Sequence, residues 1–164
     1  MFGVGADSSV VRRLQTVMSA YQGWWALAGG WSTDVGLGRI SREHHDIEIS
    51  CARAEKAEVW QYLTEAGADL RQINPPGTGW RIWRRDDPFD PPSFQVQARL
   101  PDPTFDVFFE TIADNQWLYR RNSRISRPLA EITSRVLDVP VLRPEVQARG
   151  AHATPAASRW RKTR

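Results

Sequence analysis

The chain has 164 residues, of which 41% are hydrophobic and 25% charged, and its 22 basic side chains against 19 acidic ones give a net charge of +3. That length makes one domain the default and allows a core without disulfides; the single cysteine excludes an internal disulfide and leaves a thiol-based zinc site without a second thiol. No apolar run reaches the ~20 residues that cross a bilayer, and the start "MFGVGADSSVVRRL" lacks the pattern of an export signal, so the expectation is a cytoplasmic protein with no membrane partner. Lys56 and Lys162 are the only lysines, and the arginine bias suits bidentate contacts with phosphate without requiring them. Much of the excess charge lies in the tail "RGAHATPAASRWRKTR"; the rest is slightly acidic, which argues against nucleic acid as a partner.

Residues 8–22 place Val10, Val11, Leu14, Val17, Met18 and Tyr21 at helical spacing, with Asp7 or Ser8 as N-cap, and predict a first helix. "WWALA" at 24–28 reads as a short buried strand ended by Gly29-Gly30, and "WSTDVGLG" supplies one or two helical turns. "DIEISC" then alternates as a half-buried strand does, with Ile47 and Ile49 on one face and Asp46 and Glu48 on the other. "RAEKAEVWQYLTEAG" predicts the second helix, Val59, Trp60, Leu63 and Ala66 facing inward and Gly67 ending it. After residue 68 come strands and turns: "GWRIWRR", the turn "DDPFDPP", "FQVQARL", "TFDVFFET" and "QWLYRR", at spacings that imply antiparallel pairing. A period of two in "TFDVFFE" sets Phe105, Val107 and Phe109 against Asp106, Phe108 and Glu110. Periodicity ends near residue 149, so 1–148 is expected to form the domain and 149–164 a basic, disordered tail. The fold class is α/β in the α+β sense, a mixed and largely antiparallel sheet flanked by helices.

Two carboxylates at i and i+2 on one strand stand about 6–7 Å apart on the same side, close enough to share divalent cations. Asp106, an acid on a strand otherwise fit for the core, is the best third member. Hard oxygen ligands suit magnesium, which in nucleotidyl transfer activates the attacking hydroxyl and neutralises a triphosphate. Gly29-Gly30 lets the backbone approach phosphate, the N–H groups of the following helix and the Ser32 hydroxyl can bind its oxygens, and Arg39 and Arg42 can clamp the remaining charge.

These residues resemble the nucleotidyltransferase superfamily, marked by a Gly-Gly or Gly-Ser turn, a short helix and then Asp-x-Asp or Asp-x-Glu on the next strand. The closer likeness is to its antibiotic-modifying branch, the aminoglycoside 2''-adenylyltransferases and lincosamide nucleotidyltransferases. It rests on Gly29-Gly30-Trp31, Asp34, Leu37-Gly38-Arg39, Arg42, His44 or His45, and Asp46-Ile47-Glu48, and extends more loosely over residues 8–147. The resemblance implies a nucleotidyltransferase fold and magnesium on Asp46, Glu48 and Asp106, with Asp106 as metal ligand or general base. It implies ATP as co-substrate, bound through Gly29, Gly30, Ser32, Arg39 and Arg42, and a small-molecule hydroxyl as acceptor, the product being an adenylylated antibiotic-like molecule. The C-terminus departs from the family pattern, "PEVQ" running into "ARGAHATPAASRWRKTR", which suggests a shortened end.

Three rival readings stand beside this one: a degenerate nucleotide-binding member without turnover, a toxin–antitoxin type enzyme acting on protein or tRNA, and a homodimeric module with an apolar interface. Several residues have plainer roles available. Cys51 is expected in the core; Asp34 either holds the turn or touches substrate; one of His44 and His45 orients the acidic strand or meets phosphate. Glu110 is expected in water at the sheet's end. Trp24, Trp25 and Trp60 are expected in the core, and Trp80 and Trp83 on a strand near the cleft, where one could line an acceptor pocket.

Overall fold

The computed structural model describes residues 8–73, 79–89 and 94–151. Helix α1 (Ser8–Met18) leads to β1 (Trp25–Ala28), α2 (Gly29–Leu37), β2 (Glu48–Ala52), a 3-10 turn (Arg53–Glu55) and α3 (Lys56–Glu65). The rest is mostly strand: β3 (Asp69–Ile73), β4 (Trp80–Ile82), β5 (Gln95–Arg99), β6 (Thr104–Ala113), β7 (Gln116–Leu118) and β8 (Ser126–Pro128), then a 3-10 turn (Leu129–Glu131), β9 (Thr133–Val136), β10 (Val139–Leu142) and α4 (Pro144–Ala151). The strands form one mixed sheet in the order β4-β3-β5-β6-β2-β1-β10-β9, with β7 and β8 joined beside β6. Pairings β1–β10 and β2–β6 are parallel and the others described are antiparallel, the expected fold class. Among the described residues no helix is long and apolar enough to cross a membrane.

Where elements differ from expectation, local chemistry explains it. Helix α2 starts at Gly29 itself, directly after β1, because Gly29 takes φ +66°, a conformation that favours glycine. Strand β2 begins at Glu48, so Asp46 precedes it, although the Asp106 N–H still bonds the Ile47 carbonyl at 2.8 Å. Strands β3, β8, β9 and β10 go beyond those predicted. "DLRQI" offers little apolar signal, and "VPVL" carries Pro140, which has no N–H for a ladder. The β9–β10 turn puts Leu137 and Asp138 at positive φ, and leucine there is no turn signal; the β6–β7 turn does the same with Asp114 and Asn115, residue types that favour it. Helix α4 extends past the expected boundary at 148 as far as Ala151, and the remainder of the expected tail lies outside the described residues.

The sheet has a core face and a site face. Toward α1 and α3 it presents Leu27, Ile49, Cys51, Val107 and Phe109, packed with Leu14, Met18, Val59 and Leu63. Cys51 is fully buried, which pushes its thiol up and fits a core role. Of the two tryptophans expected near the cleft, Trp83 is in this core as well, packed against Phe89 and Phe109 at 5.7 and 5.8 Å, while Trp80 is exposed on edge strand β4. A smaller cluster of Ala26, Ala28, Trp117, Ile132, Leu142 and Val146 occupies the opposite side. Phe109→Ala removes a ring that meets Phe89 edge-on at 5.1 Å, and it should cost about 3–5 kcal/mol of stability, read as a lower urea midpoint with an unchanged slope.

Candidate functional site

Strand register builds the site. Parallel pairing of β2 with β6 sets Glu48 beside Asp106 and Ser50 beside Phe108, while β1 sets Ala28 beside Glu48 and β5 sets Gln97 beside Asp106. A row Ala28–Glu48–Asp106–Gln97 thus crosses four strands on the face turned away from α1 and α3. Alanine at one end leaves space above the row, and a cavity of about 710 Å³ opens there between the start of α2, the start of α4 and the β6–β8 region.

The paired acids are the dominant electrostatic feature. Burial raises the Glu48 carboxyl, the neighbouring Asp106 charge raises it further, and the Arg42 guanidinium opposes both. Asp106 is 3% exposed, and burial pushes its carboxyl up to about 6, against hydrogen bonds from Gln97 and Gln95. An acid whose folded pKa lies above its unfolded value destabilises the fold once ionised; the penalty is absent below about pH 4 and complete above about pH 6. Asp106→Asn should therefore stabilise the cation-free protein by about 3 kcal/mol at pH 7.5, and the gain in melting temperature should vanish below pH 4.

The Gly-Gly turn brings backbone against these acids. A Cβ on Gly29 would collide with the Glu48 carboxylate, and one on Gly30 would lie 2.5 Å from His44 Nδ1 and 2.7 Å from Arg42 Nη2. The following loop is held by one buried side chain. Asp34 is 2% exposed; its Oδ1 accepts the Ser41 hydroxyl at 2.6 Å, while its Oδ2 accepts the Ser41 N–H at 2.9 Å and lies 2.5 Å from His44 Nε2. Burial would raise the Asp34 carboxyl, but the Ser41 and His44 contacts outweigh it and hold it at about 2. The His44 ring in turn packs on Trp31 at 4.8 Å. Of the two roles open to Asp34, the geometry selects holding the turn, and His44 rather than exposed His45 is the histidine built into the site.

The expected site residues separate into two groups. Gly29, Gly30, Arg42 and Glu48 line the cavity, and Asp106 stands beside Glu48. Asp46, half-buried and two residues upstream, is off the cavity wall. Ser32 is fully buried: its hydroxyl donates to the Gly29 carbonyl at 3.1 Å and accepts from Gln147 at 2.8 Å, so it braces the helix start while Thr33 reaches the wall. Arg39 is exposed beyond the Gly38 cap, its N–H bonded to the Asp34 carbonyl. Glu110 is not in water at the sheet's end. It lines the cavity and accepts the Trp117 indole N–H at 3.0 Å, as its position two residues beyond Phe108 on the acidic face of β6 could have indicated. Trp117, Tyr119 and Arg120, which sequence reasoning missed, form the same wall.

Among the described residues no three His, Cys, Asp or Glu side chains form a group able to hold a metal ion. The protein-borne donor set is the pair Glu48 and Asp106. Two carboxylates fit magnesium, which commonly takes one or two from the protein and completes its shell with water and substrate phosphates.

Residues 10–76, under half of the chain, match the family model described as aminoglycoside-2''-adenylyltransferase. No curated protein matches the chain at a significant level. Among solved structures, lincomycin-bound lincosamide antibiotic adenylyltransferase LnuA is similar at 16% identity and a TM-score of 0.56, covering 85% of this chain and 82% of that one. ANT(2'')-Ia in complex with adenylyl-2''-tobramycin is similar at 14% identity and 0.56, covering 92% and 79%. A candidate nucleotidyltransferase from Thermotoga maritima is similar at 12% identity and 0.56, covering 88% and 82%. The chain therefore has the nucleotidyltransferase fold and, over residues 10–76, carries the sequence pattern of the aminoglycoside-2''-adenylyltransferases.

Proposed function

We propose that the protein is a magnesium-dependent nucleotidyltransferase that moves AMP from ATP to a hydroxyl of a small molecule of the aminoglycoside or lincosamide kind. One juxtaposition supports the reading: Glu48, paired with Asp106, stands against Gly29 at the start of α2, with Arg42 over Gly30. A helix N-terminus and a guanidinium attract the charge of a triphosphate, whereas the acids alone would repel it. Both therefore belong in one site only if a cation sits between acids and phosphates. The family pattern adds Asp46 to Glu48 and Asp106 as ligands for it. Magnesium, when bound, supplies charge neutralisation and a lowered pKa for the attacking hydroxyl.

The chain's own residues supply position and proton handling. Backbone N–H groups at Gly29 and Gly30 approach the phosphates because no Cβ intervenes, and Arg42 balances charge from the open side. Asp106, with a carboxyl near 6 in the free protein, would take the proton of the acceptor hydroxyl as it attacks in line and pyrophosphate leaves. The Asp34 latch keeps Arg42 and His44 over the glycines. The acceptor class comes from the relatives, which carry lincomycin and an adenylylated tobramycin.

The lack of a three-ligand cluster among the described residues favours a second reading, a member that binds nucleotide with little turnover. Isothermal titration with ATP and a non-hydrolysable analogue should show binding that needs magnesium in the intact protein and is lost in the Asp46→Ala, Glu48→Ala double variant. Pyrophosphate release in an acceptor screen then separates the readings. Turnover that falls about 100-fold or more in Glu48→Ala supports transfer, binding without release supports the second reading, and no binding by the folded protein sinks both.

A further inference from the structure

Opposite the phosphate-facing end, the cavity wall holds two charged side chains that the proposed transfer does not use. Glu110 is pinned: the Trp117 indole N–H donates to one oxygen at 3.0 Å, and the Ser50 hydroxyl approaches the other at 3.4 Å. Arg120 is pinned differently, its guanidinium lying 3.7 Å over the Phe94 ring, and its buried Nη1 has no hydrogen-bond partner. Glu110 and Arg120 attract each other through space, yet no ion pair joins them among the described residues. Glu110, an acceptor, and Arg120, a donor, therefore line one cavity without pairing with each other. An anionic group there would meet Glu110 and a cationic one would meet Arg120, so neither is favoured. A hydroxyl both donates and accepts, and vicinal hydroxyls can engage the two side chains together. Trp117 and Tyr119 line the cavity beside them, and aromatic lining suits the C–H side of a ring.

We infer that Glu110 and Arg120 form a second polar subsite that selects a neutral, hydroxyl-bearing ring of the bound ligand at a position other than the reacting hydroxyl. This deepens the transfer reading and rests on it for the ring's source, which is either the ribose of the nucleotide or the acceptor.

Titration of the full chain, with Glu110→Gln and Arg120→Gln beside it, tests the subsite using three probes: magnesium–ATP, magnesium–2′,3′-dideoxy-ATP, and lincomycin added both with and without the non-hydrolysable ATP analogue. Glu110→Gln keeps an acceptor oxygen for Trp117, and thermal melting checks that each variant folds; Arg120→Gln carries the test if the other does not. A ribose source predicts that the wild type prefers ATP to the dideoxy analogue by about 10-fold and that both variants lose the preference. An acceptor source predicts equal binding of the two nucleotides and a loss of about 10-fold in lincomycin affinity in both variants. Folded variants that match the wild type for all three probes, absence of binding included, overturn the subsite. Failure of the wild type to bind ATP while lincomycin still separates it from the variants overturns the transfer reading alone.

Discussion

Two carboxylates held side by side in a poorly solvated row are the constraint on which this structure turns. Glu48 and Asp106 are neighbours because β2 runs parallel to β6 in a register that aligns them, and no rotamer change moves two adjacent, same-face positions far apart. Like charges so placed raise each other's cost of ionisation, and the surroundings are arranged to moderate it. Arg42 opposes the charge from the cavity side, Gln97 and Gln95 donate to Asp106 from β5, and the start of α2 presents backbone N–H groups where Gly29 abuts Glu48. Moderation is incomplete, since Asp106 still sits near 6. Residual electrostatic strain of this kind at a cleft is a physical mark of functional sites in general.

The loop from 38 to 46 would be free to leave the site were it not fastened by Asp34. One buried carboxylate gathers the N–H and hydroxyl of Ser41 and the imidazole of His44, so three residues of α2 and its loop are tied together. The imidazole transmits the constraint, with Nε2 on Asp34 and Nδ1 over Gly30 beside Arg42. The same logic governs the other end of α2, where Ser32 and Gln147 tie the helix start to α4. Helix α2 is thereby clamped from both sides while its first turn stays open to the cavity.

Stability and chemistry are divided between the faces of the sheet. Alternation along β2 and β6 sends Ile49, Cys51, Phe105, Val107 and Phe109 into the helical core, and Glu48, Ser50, Asp106, Phe108 and Glu110 to the other side, where the cavity opens. Because a side-chain period of two is strict in a strand, this division was legible in "DIEISC" and "TFDVFFE", down to the pairing of acids against apolar residues. The Gly-Gly turn was legible for a similar reason, since a conformation at φ +66° leaves a short list of residues that can adopt it.

What no local pattern could reveal is which strands become neighbours and what lies across from them. Ser32 and Arg39 are polar residues at sites that looked suitable for phosphate, but packing against Gln147 occupies the first and the Gly38 cap turns the second outward. Glu110 looked like a strand end until β7 folded back on β6 and set Trp117 beside it. Trp83 looked like a cleft residue until β3 and β5 carried it into the core with Phe89 and Phe109. Local chemistry is written in the order of residues, because helix caps, turns and strand alternation depend on neighbours in the chain. The second wall of the cavity depends on residues joined only through sheet pairings from β6 to β8 and the return of α4, and those contacts exist only once the chain has folded.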